Sequence, residues 1–323
     1  MNLSNKIIMV TGGTGFIGSH LVNQLIKKGC HVNIITLSND FDWRIEDKTK
    51  TNFFYIDLQN YSDVKKCIDK IKPEIIFHMA AYVNPEREIN LIDRLISINY
   101  IGTKNLLISL NDYNYDLFIN TGTSDEYGNT LAPFKENQRE EAISPYSASK
   151  IATTFLCEMM ASVYVKPIIT IRPSLIYGPK QISNSLIPLL IYTGISKKTL
   201  SLTPCEQTRD FLFIYDLVEA CISLAVNANK VKKLGIFNIG TGKEIKILKV
   251  VNLIKNQFPD ANFLIGDKPY RIGEAMSFYL SVDKVKDVIG WIPKWNLADG
   301  IKETVKWWSE NKDIWMRYKK IID

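Results

Sequence analysis

The chain has 323 residues, enough for a large α/β domain together with a smaller lobe. Hydrophobic residues make up 46% and charged residues 23%, ordinary proportions that exclude a disordered or fibrous chain. The net charge of +6 is spread thinly, with lysine pairs at Lys27-Lys28 and Lys197-Lys198, which argues against a nucleic-acid partner and leaves room for a basic pocket that takes a diphosphate.

In chain order, an apolar run at 7–11 predicts a first strand buried on both faces. It is followed by Gly12-Gly13-Thr14-Gly15-Phe16-Ile17-Gly18 and then by a helical rhythm through Leu21, Val22, Leu25 and Ile26, with Gly29 as its C-cap. Glycines at 12, 15 and 18 permit a tight turn, bring backbone N–H groups against a pyrophosphate and let a helix pack close to the strand before it. Further strands are predicted at 31–36, 53–56, 75–79, 117–121 and 168–171, with helices at 61–71, 89–112, 145–164 and 215–227 between or after them. This alternation predicts a Rossmann-type, doubly wound parallel sheet in an α/β protein. After Gly178 the elements shorten, at 186–192, 246–257 and 298–309, and predict a smaller mixed α/β C-terminal substrate lobe. The expected division is a dinucleotide-binding domain over 1–178, to which 209–240 returns, and a discontinuous lobe over 179–323. Five of the six tryptophans lie from Trp291 onward and read as packing for that lobe.

Cys30, Cys67, Cys157, Cys205 and Cys221 are odd in number and lack CxxC spacing, so neither a disulfide framework nor a metal site is expected. No segment approaches the ~20 apolar residues that span a bilayer. The opening residues lead straight into the first strand and leave no room for a signal peptide, so a soluble cytoplasmic protein with no membrane partner is expected.

A second chemical signal is Tyr146-Ser147-Ala148-Ser149-Lys150. On a helix Tyr146 and Lys150 are i and i+4, so the ammonium is expected beside the phenol, favouring phenolate and an acid/base role near neutral pH.

These motifs, with Phe77-His78-Met79-Ala80-Ala81, Asn99-Tyr100-Ile101-Gly102-Thr103, Thr123-Ser124-Asp125-Glu126-Tyr127-Gly128, Arg172-Pro173-Ser174-Leu175-Ile176-Tyr177-Gly178-Pro179, Thr208-Arg209-Asp210-Phe211 and Asn238-Ile239-Gly240-Thr241-Gly242, run in order along the chain. The sequence resembles the extended short-chain dehydrogenase/reductase family, in its NAD(P)-dependent nucleotide-sugar epimerase and dehydratase branch. The resemblance covers nearly the whole chain. It implies that Thr123 hydrogen-bonds the sugar oxygen being oxidised, Tyr146 removes its proton, and Lys150 holds the nicotinamide ribose. It implies cofactor contacts from Gly12, Thr14, Gly15, Phe16, Ile17, Gly18, Thr36, Ser38, Asp57, Leu58, Ala80, Ala81, Asn99, Tyr146, Lys150, Arg172 and Pro173. Substrate contacts are implied for Thr123, Ser124, Arg209 and Arg271, the last within Arg271-Ile272-Gly273-Glu274, with the arginines gripping the nucleotide diphosphate.

Asp125 stands where dehydratases and decarboxylases of the family carry an acid, usually Glu, and where many 4-epimerases do not. The resemblance therefore points to a nucleotide-diphosphate-hexose 4,6-dehydratase, with an NADPH-dependent 4-keto-sugar reductase or a 4-epimerase as alternatives and a non-catalytic dinucleotide-binding regulator as a further one. Two positions depart from the pattern: Thr36 replaces the ribose-binding Asp of NAD users, and Leu175 replaces a substrate-contacting Asn. Without the Asp at Thr36, Ser38 or Arg44 becomes a candidate for a 2'-phosphate, and the expected cofactor is NAD(P) with a slight preference for NADP(H). A homodimer through the helices at 89–112 and 145–164 is also implied.

Overall fold

The computed structural model describes residues 1–271 and 273–322. Six strands, β1 (Ile8–Thr11), β2 (Val32–Thr36), β3 (Thr51–Tyr55), β4 (Ile75–His78), β5 (Leu117–Thr121) and β6 (Ile168–Pro173), join the later strand Ile236–Ile239 in a seven-stranded sheet. Its order is Ile236–Ile239, β6, β5, β4, β1, β2, β3, and every neighbouring pair is parallel. β1, β2, β4 and β6 are buried at every position, because helices cover both faces. One apolar core includes Leu21, Leu25, Phe77, Leu217 and Phe237. The other joins Val64, Ile68, Leu106, Leu110 and Met160 to Met9 and Phe118.

Helix α1 (Phe16–Lys27) leaves the turn after β1, and α2 (Tyr61–Ile71) is capped by the Asn60 side chain, which accepts from Asp63 N–H. The helical run after β4 is not uniform: Ile92–Leu95 is α-helical, Ile96–Ile101 is a π turn and Gly102–Leu110 is α-helical again. Such local widening is a recurrent feature of functional helices. Next comes helix Pro145–Val163, with Ser144 as N-cap and Pro145 as its first residue.

Beyond β6 lie the short strand pairs Leu175–Tyr177 with Phe211–Phe213, Thr208–Arg209 with Ile245–Lys246, and Thr199–Leu202 with Asn262–Ile265. Helix Leu297–Glu310 packs on this region, with Trp308 and Trp315 fully buried. The closing segment reaches back to the loop after β2. There the Tyr318 ring stacks on Phe41, its hydroxyl donates to the Asp40 carbonyl, and Trp43 Nε1 donates to the Tyr318 hydroxyl. Among the described residues no helix is long and apolar enough to cross a membrane, no group of side chains could hold a metal ion, and all five cysteines are buried thiols.

Helix α1 packs closely against the first turn. A Cβ on Gly18 would stand 2.2 Å from the Gly12 carbonyl oxygen, a backbone atom that cannot swing aside. The Gly18→Ala variant is expected to lose about 1–3 kcal/mol of stability in chemical denaturation; an unchanged midpoint would contradict this close approach.

Candidate functional site

The glycine turn follows β1, Thr36 and Ser38 follow β2, Asp57 follows β3, Ala80 and Ala81 follow β4, Thr123 follows β5, and Pro173 closes β6. All of these positions therefore lie along the carboxyl edge of one parallel sheet, the usual place for a ligand crevice.

The glycine turn has the features a pyrophosphate requires. Gly12 adopts a left-handed conformation, φ +64°, and a Cβ there would lie 2.8 Å from the Ala80 backbone. Gly15 is the N-cap of α1 and provides no side-chain cap, so the first N–H groups of this 12-residue helix keep their capacity for an anion. Thr14 Oγ1 and Thr36 Oγ1 lie 2.7 Å apart and tie the turn to the end of β2. These residues fit a dinucleotide.

A buried chain of hydrogen bonds fixes the turn from behind. The Thr103 hydroxyl donates to the Asn99 carbonyl, so Thr103 Oγ1 accepts from His78 Nε2 at 2.8 Å. His78 Nδ1 then accepts from the Thr11 hydroxyl at 2.7 Å, and Thr11 Oγ1 accepts the Ala80 N–H. This order requires the neutral Nε2–H tautomer. Burial, and secondarily the Lys150 charge, pushes the imidazole down to about 3.

At the other end of the crevice, Thr123 caps a 3-10 turn, Ser124–Tyr127, and its hydroxyl is within hydrogen-bond reach of the Tyr146 phenol. Tyr146 and Lys150 share the buried face of helix Pro145–Val163. Their electrostatics differ from the expectation drawn from i, i+4 spacing. Burial pushes the Tyr146 phenol up, and the carboxyls of Asp125 and Glu126 push it further. Lys150 donates instead to the Thr121 carbonyl, and burial draws its ammonium down. The phenol is thus held protonated, and a proton-accepting role requires additional positive charge or a shift of Lys150.

Asp125 faces a cavity of about 260 Å3 lined by Ser144, Leu175, Arg209, Arg271, Glu274 and others. Burial pushes its carboxyl up, against the pull of Arg209 and Arg271. Glu274 sits between those arginines, pairing with Arg209 through Oε1 and with Arg271 Nε through Oε2 at 3.0 Å. Ile272, between Arg271 and Glu274, lies outside the described residues. A larger hollow of about 740 Å3, lined by Tyr115, Pro167 and Gly235, opens at the opposite, amino edge of the sheet, away from this chemistry.

Several side chains expected at the cofactor are engaged elsewhere. Arg172 is wholly buried, pairs with Glu126 at 2.8 Å and Glu140 at 2.5 Å, and lies over the Tyr127 ring. The Asn99 amide is taken by Tyr82 and by Ser149 Oγ at 3.0 Å. Both side chains brace the crevice walls and leave only backbone for a cofactor. Arg44, a candidate for a 2'-phosphate, is 4% exposed and donates to the Thr14 and Lys180 carbonyls. Its charge is therefore directed inward, and burial pushes it down to about 10. Ser124 and Pro173 are buried, Asp57 is exposed and Leu58 is half-buried. Sequence reasoning passed over Glu126, whose carboxylate accepts the Thr123 N–H at 2.9 Å and so fixes the strand end. Its signal in the sequence is the capping-box spacing, an acid three residues after Thr123.

A model described as the NAD dependent epimerase/dehydratase family matches residues 8–240. The chain belongs to that family. A dTDP-D-glucose 4,6-dehydratase from Bos taurus is 28% identical over 337 residues, covering 98% of this chain and 93% of its own. The dTDP-glucose 4,6-dehydratase of Haemophilus influenzae is 29% identical over 338 residues, covering 94% and 98%. Among solved structures, the UDP-glucose 4-epimerase of Thermotoga maritima with UDP-glucose superposes with a TM-score of 0.86 at 26% identity, covering 94% of this chain and 99% of that one. In this epimerase/dehydratase member of the extended short-chain dehydrogenase/reductases, both relatives and neighbours span essentially its whole length.

His20, on α1, is a second buried imidazole: its Nε2 bonds the Pro179 carbonyl at 2.8 Å, and burial pushes it down to about 4. Since folded His20 and His78 titrate below the unfolded value of 6.5, the unfolded chain binds more protons there, and the stability they contribute above pH 6.5 is lost as pH falls towards about 4. Urea midpoints are expected to fall across that window. His20→Gln, which keeps a donor for Pro179, should give a shallower slope; a slope as steep as the parent's would refute the assignment.

Proposed function

We propose that this enzyme acts on a nucleotide-diphosphate hexose through oxidation at C4 and carries out 4,6-dehydration, with residues 179–323, apart from the returning stretch 209–240, as its substrate lobe. The observation that carries this reading is that the Tyr146 phenol interacts with Thr123 and Asp125, and that Asp125 lines one cavity with Arg209 and Arg271. Gly12, Gly15, Gly18 and the start of α1 hold the pyrophosphate, and Lys150 holds the nicotinamide ribose. A nicotinamide bound there would supply acceptance of hydride from C4 and its return to C6. With the added positive charge of a bound nicotinamide or a shift of Lys150 drawing the phenol towards phenolate, Tyr146 would take the proton of the C4 hydroxyl while Thr123 fixes its oxygen. Oxidation at C4 acidifies the C5 proton; Asp125 accepts it and passes it to the C6 hydroxyl, which leaves as water, and addition of the hydride to C6 and of a proton, matching the one taken from the C4 hydroxyl, to C5 completes the 4-keto-6-deoxy product. Asp is a methylene shorter than the usual Glu, so the sugar must sit closer to this wall.

The cofactor favoured by the geometry is NAD, against the lean towards NADP(H) drawn from Thr36. Arg44 is turned inward, and Ser38 Oγ donates to Asp40 Oδ2 at 2.8 Å. A carboxylate therefore stands beside the end of β2, where a 2'-phosphate would be repelled. A retained NAD also suits a cycle with no net redox change, which separates dehydratase and epimerase from an NADPH-consuming reductase.

The test is incubation with a panel of hexoses linked to UDP, dTDP, CDP and GDP, following product mass and the absorbance of reduced nicotinamide. Loss of one water with no net reduction or oxidation of cofactor supports dehydration. A C4 epimer of unchanged mass, or stoichiometric NADPH consumption, would replace that reading with an alternative. Tyr146→Phe is expected to lower turnover at least about 100-fold while NAD still binds; undiminished turnover in that variant would overturn the role given to Tyr146, and no product in the parent enzyme would favour the regulator. Asp125→Asn should abolish water loss.

A homodimer is proposed on the same footing. Phe155, Met159 and Val163 leave an exposed apolar stripe at i, i+4, i+8 on helix Pro145–Val163, next to the helical run carrying exposed Ile92 and Ile108. Light scattering is expected to give a dimer mass, reduced to that of a monomer by Phe155→Asp; a monomeric parent would end the proposal.

A further inference from the structure

We propose that Glu274 is an internal anion seated between Arg209 and Arg271, yielding its place to a ligand that bridges both guanidinium groups and thereby selecting diphosphates over monophosphates. The inference rests on the reading of that arginine pair as the diphosphate grip. Its basis is the geometry of one carboxylate divided between two cations, Oε1 on Arg209 and Oε2 on Arg271. The Glu274 side chain is only 8% exposed and that of Arg209 13%, so their contact is shielded from water and stronger than a surface pair, whereas the contact to the exposed Arg271 is the weaker of the two.

The donors of Arg209 that face the cavity are shared with Glu274. Its Nη1 donates to the Thr208 carbonyl at 2.6 Å and the Ala275 carbonyl at 2.8 Å, and its Nη2 donates to Glu274. A guanidinium has five N–H groups, so backbone and Glu274 together occupy three of them. A phosphate that engages the Nη2 donor meets Glu274 first. Arg271, with its side chain 69% exposed, is held towards the cavity through the same carboxylate.

Charge sets the selectivity. Arg87, Arg209 and Arg271 line the cavity against Asp125 and Glu274, so the wall carries one excess positive charge while Glu274 is seated and two once it leaves. A monophosphate that evicts Glu274 remakes contacts over a similar span and gains little. A diphosphate spans both guanidinium groups with separate oxygens, and recovers more than eviction costs. Gly273, in a left-handed conformation at φ +71°, immediately precedes Glu274 and gives the backbone a place to turn as the carboxylate leaves.

The experiment is calorimetric titration of the full-length protein with inorganic pyrophosphate and, separately, inorganic phosphate at fixed ionic strength. The parent, Glu274→Gln, Glu274→Ala and Arg271→Ala are compared. Removing the carboxylate is expected to tighten pyrophosphate binding about tenfold, in line with the loss of a competing charged contact, and to narrow the preference for pyrophosphate over phosphate. Using both Gln and Ala guards against a folding defect in either one. If the parent binds pyrophosphate through Arg271 but both Glu274 variants bind it equally or more weakly, Glu274 is a scaffold for the arginines and the proposal falls while the diphosphate reading stands. If pyrophosphate binding is absent or indifferent to Arg271→Ala, the arginine-pair reading falls and takes the Glu274 proposal with it.

Discussion

Burial of both faces of a parallel sheet is the constraint from which the other features follow. A strand with apolar residues on both sides has no face left for reactive groups, so polar chemistry is driven to the loops at the strand ends. Because all seven strands run the same way, those loops gather along one edge. The glycine turn and Thr123 are more than a hundred residues apart in sequence, yet both follow strands of the same sheet.

A crevice built from loops needs bracing, and here two buried polar systems provide it. His78 links the helix after β4 to Thr11 and Ala80, fixing the floor of the cofactor turn. Arg172, Glu126 and Glu140 form the second, in which Glu126 holds the Thr123 backbone. Breaking a buried ion pair leaves one charge unsatisfied, so such a network resists piecemeal change. Glu126 also bears on function, because its charge helps keep the Tyr146 phenol protonated.

The alternation of strands and helices was legible in the sequence because each strand of this class reads as an apolar run, and each helix between them as an i, i+4 rhythm. The glycine turn was legible because its requirements are local: a left-handed Gly12 and a close approach at Gly18 leave few other residue types possible. The direction in which charged side chains face was not legible. Arg44, read as available to a phosphate, is anchored by Thr14 and Lys180, 30 and 136 residues away. Arg172 is fixed by Glu126 across 46 residues, and Glu274 meets Arg209 across 65. Such pairings arise only when the sheet is assembled. The spacing of Tyr146 and Lys150 likewise gave their shared helix face, while the Thr121 carbonyl that draws Lys150 away belongs to another element.

The aromatic junction of Phe41, Trp43 and Tyr318 couples the last turns of the polypeptide to the loop that follows β2. That loop carries Ser38 and Asp40, so this edge of the crevice leans on a segment almost three hundred residues downstream. Local melting of the closing helices would thereby loosen that edge before the central sheet itself gives way.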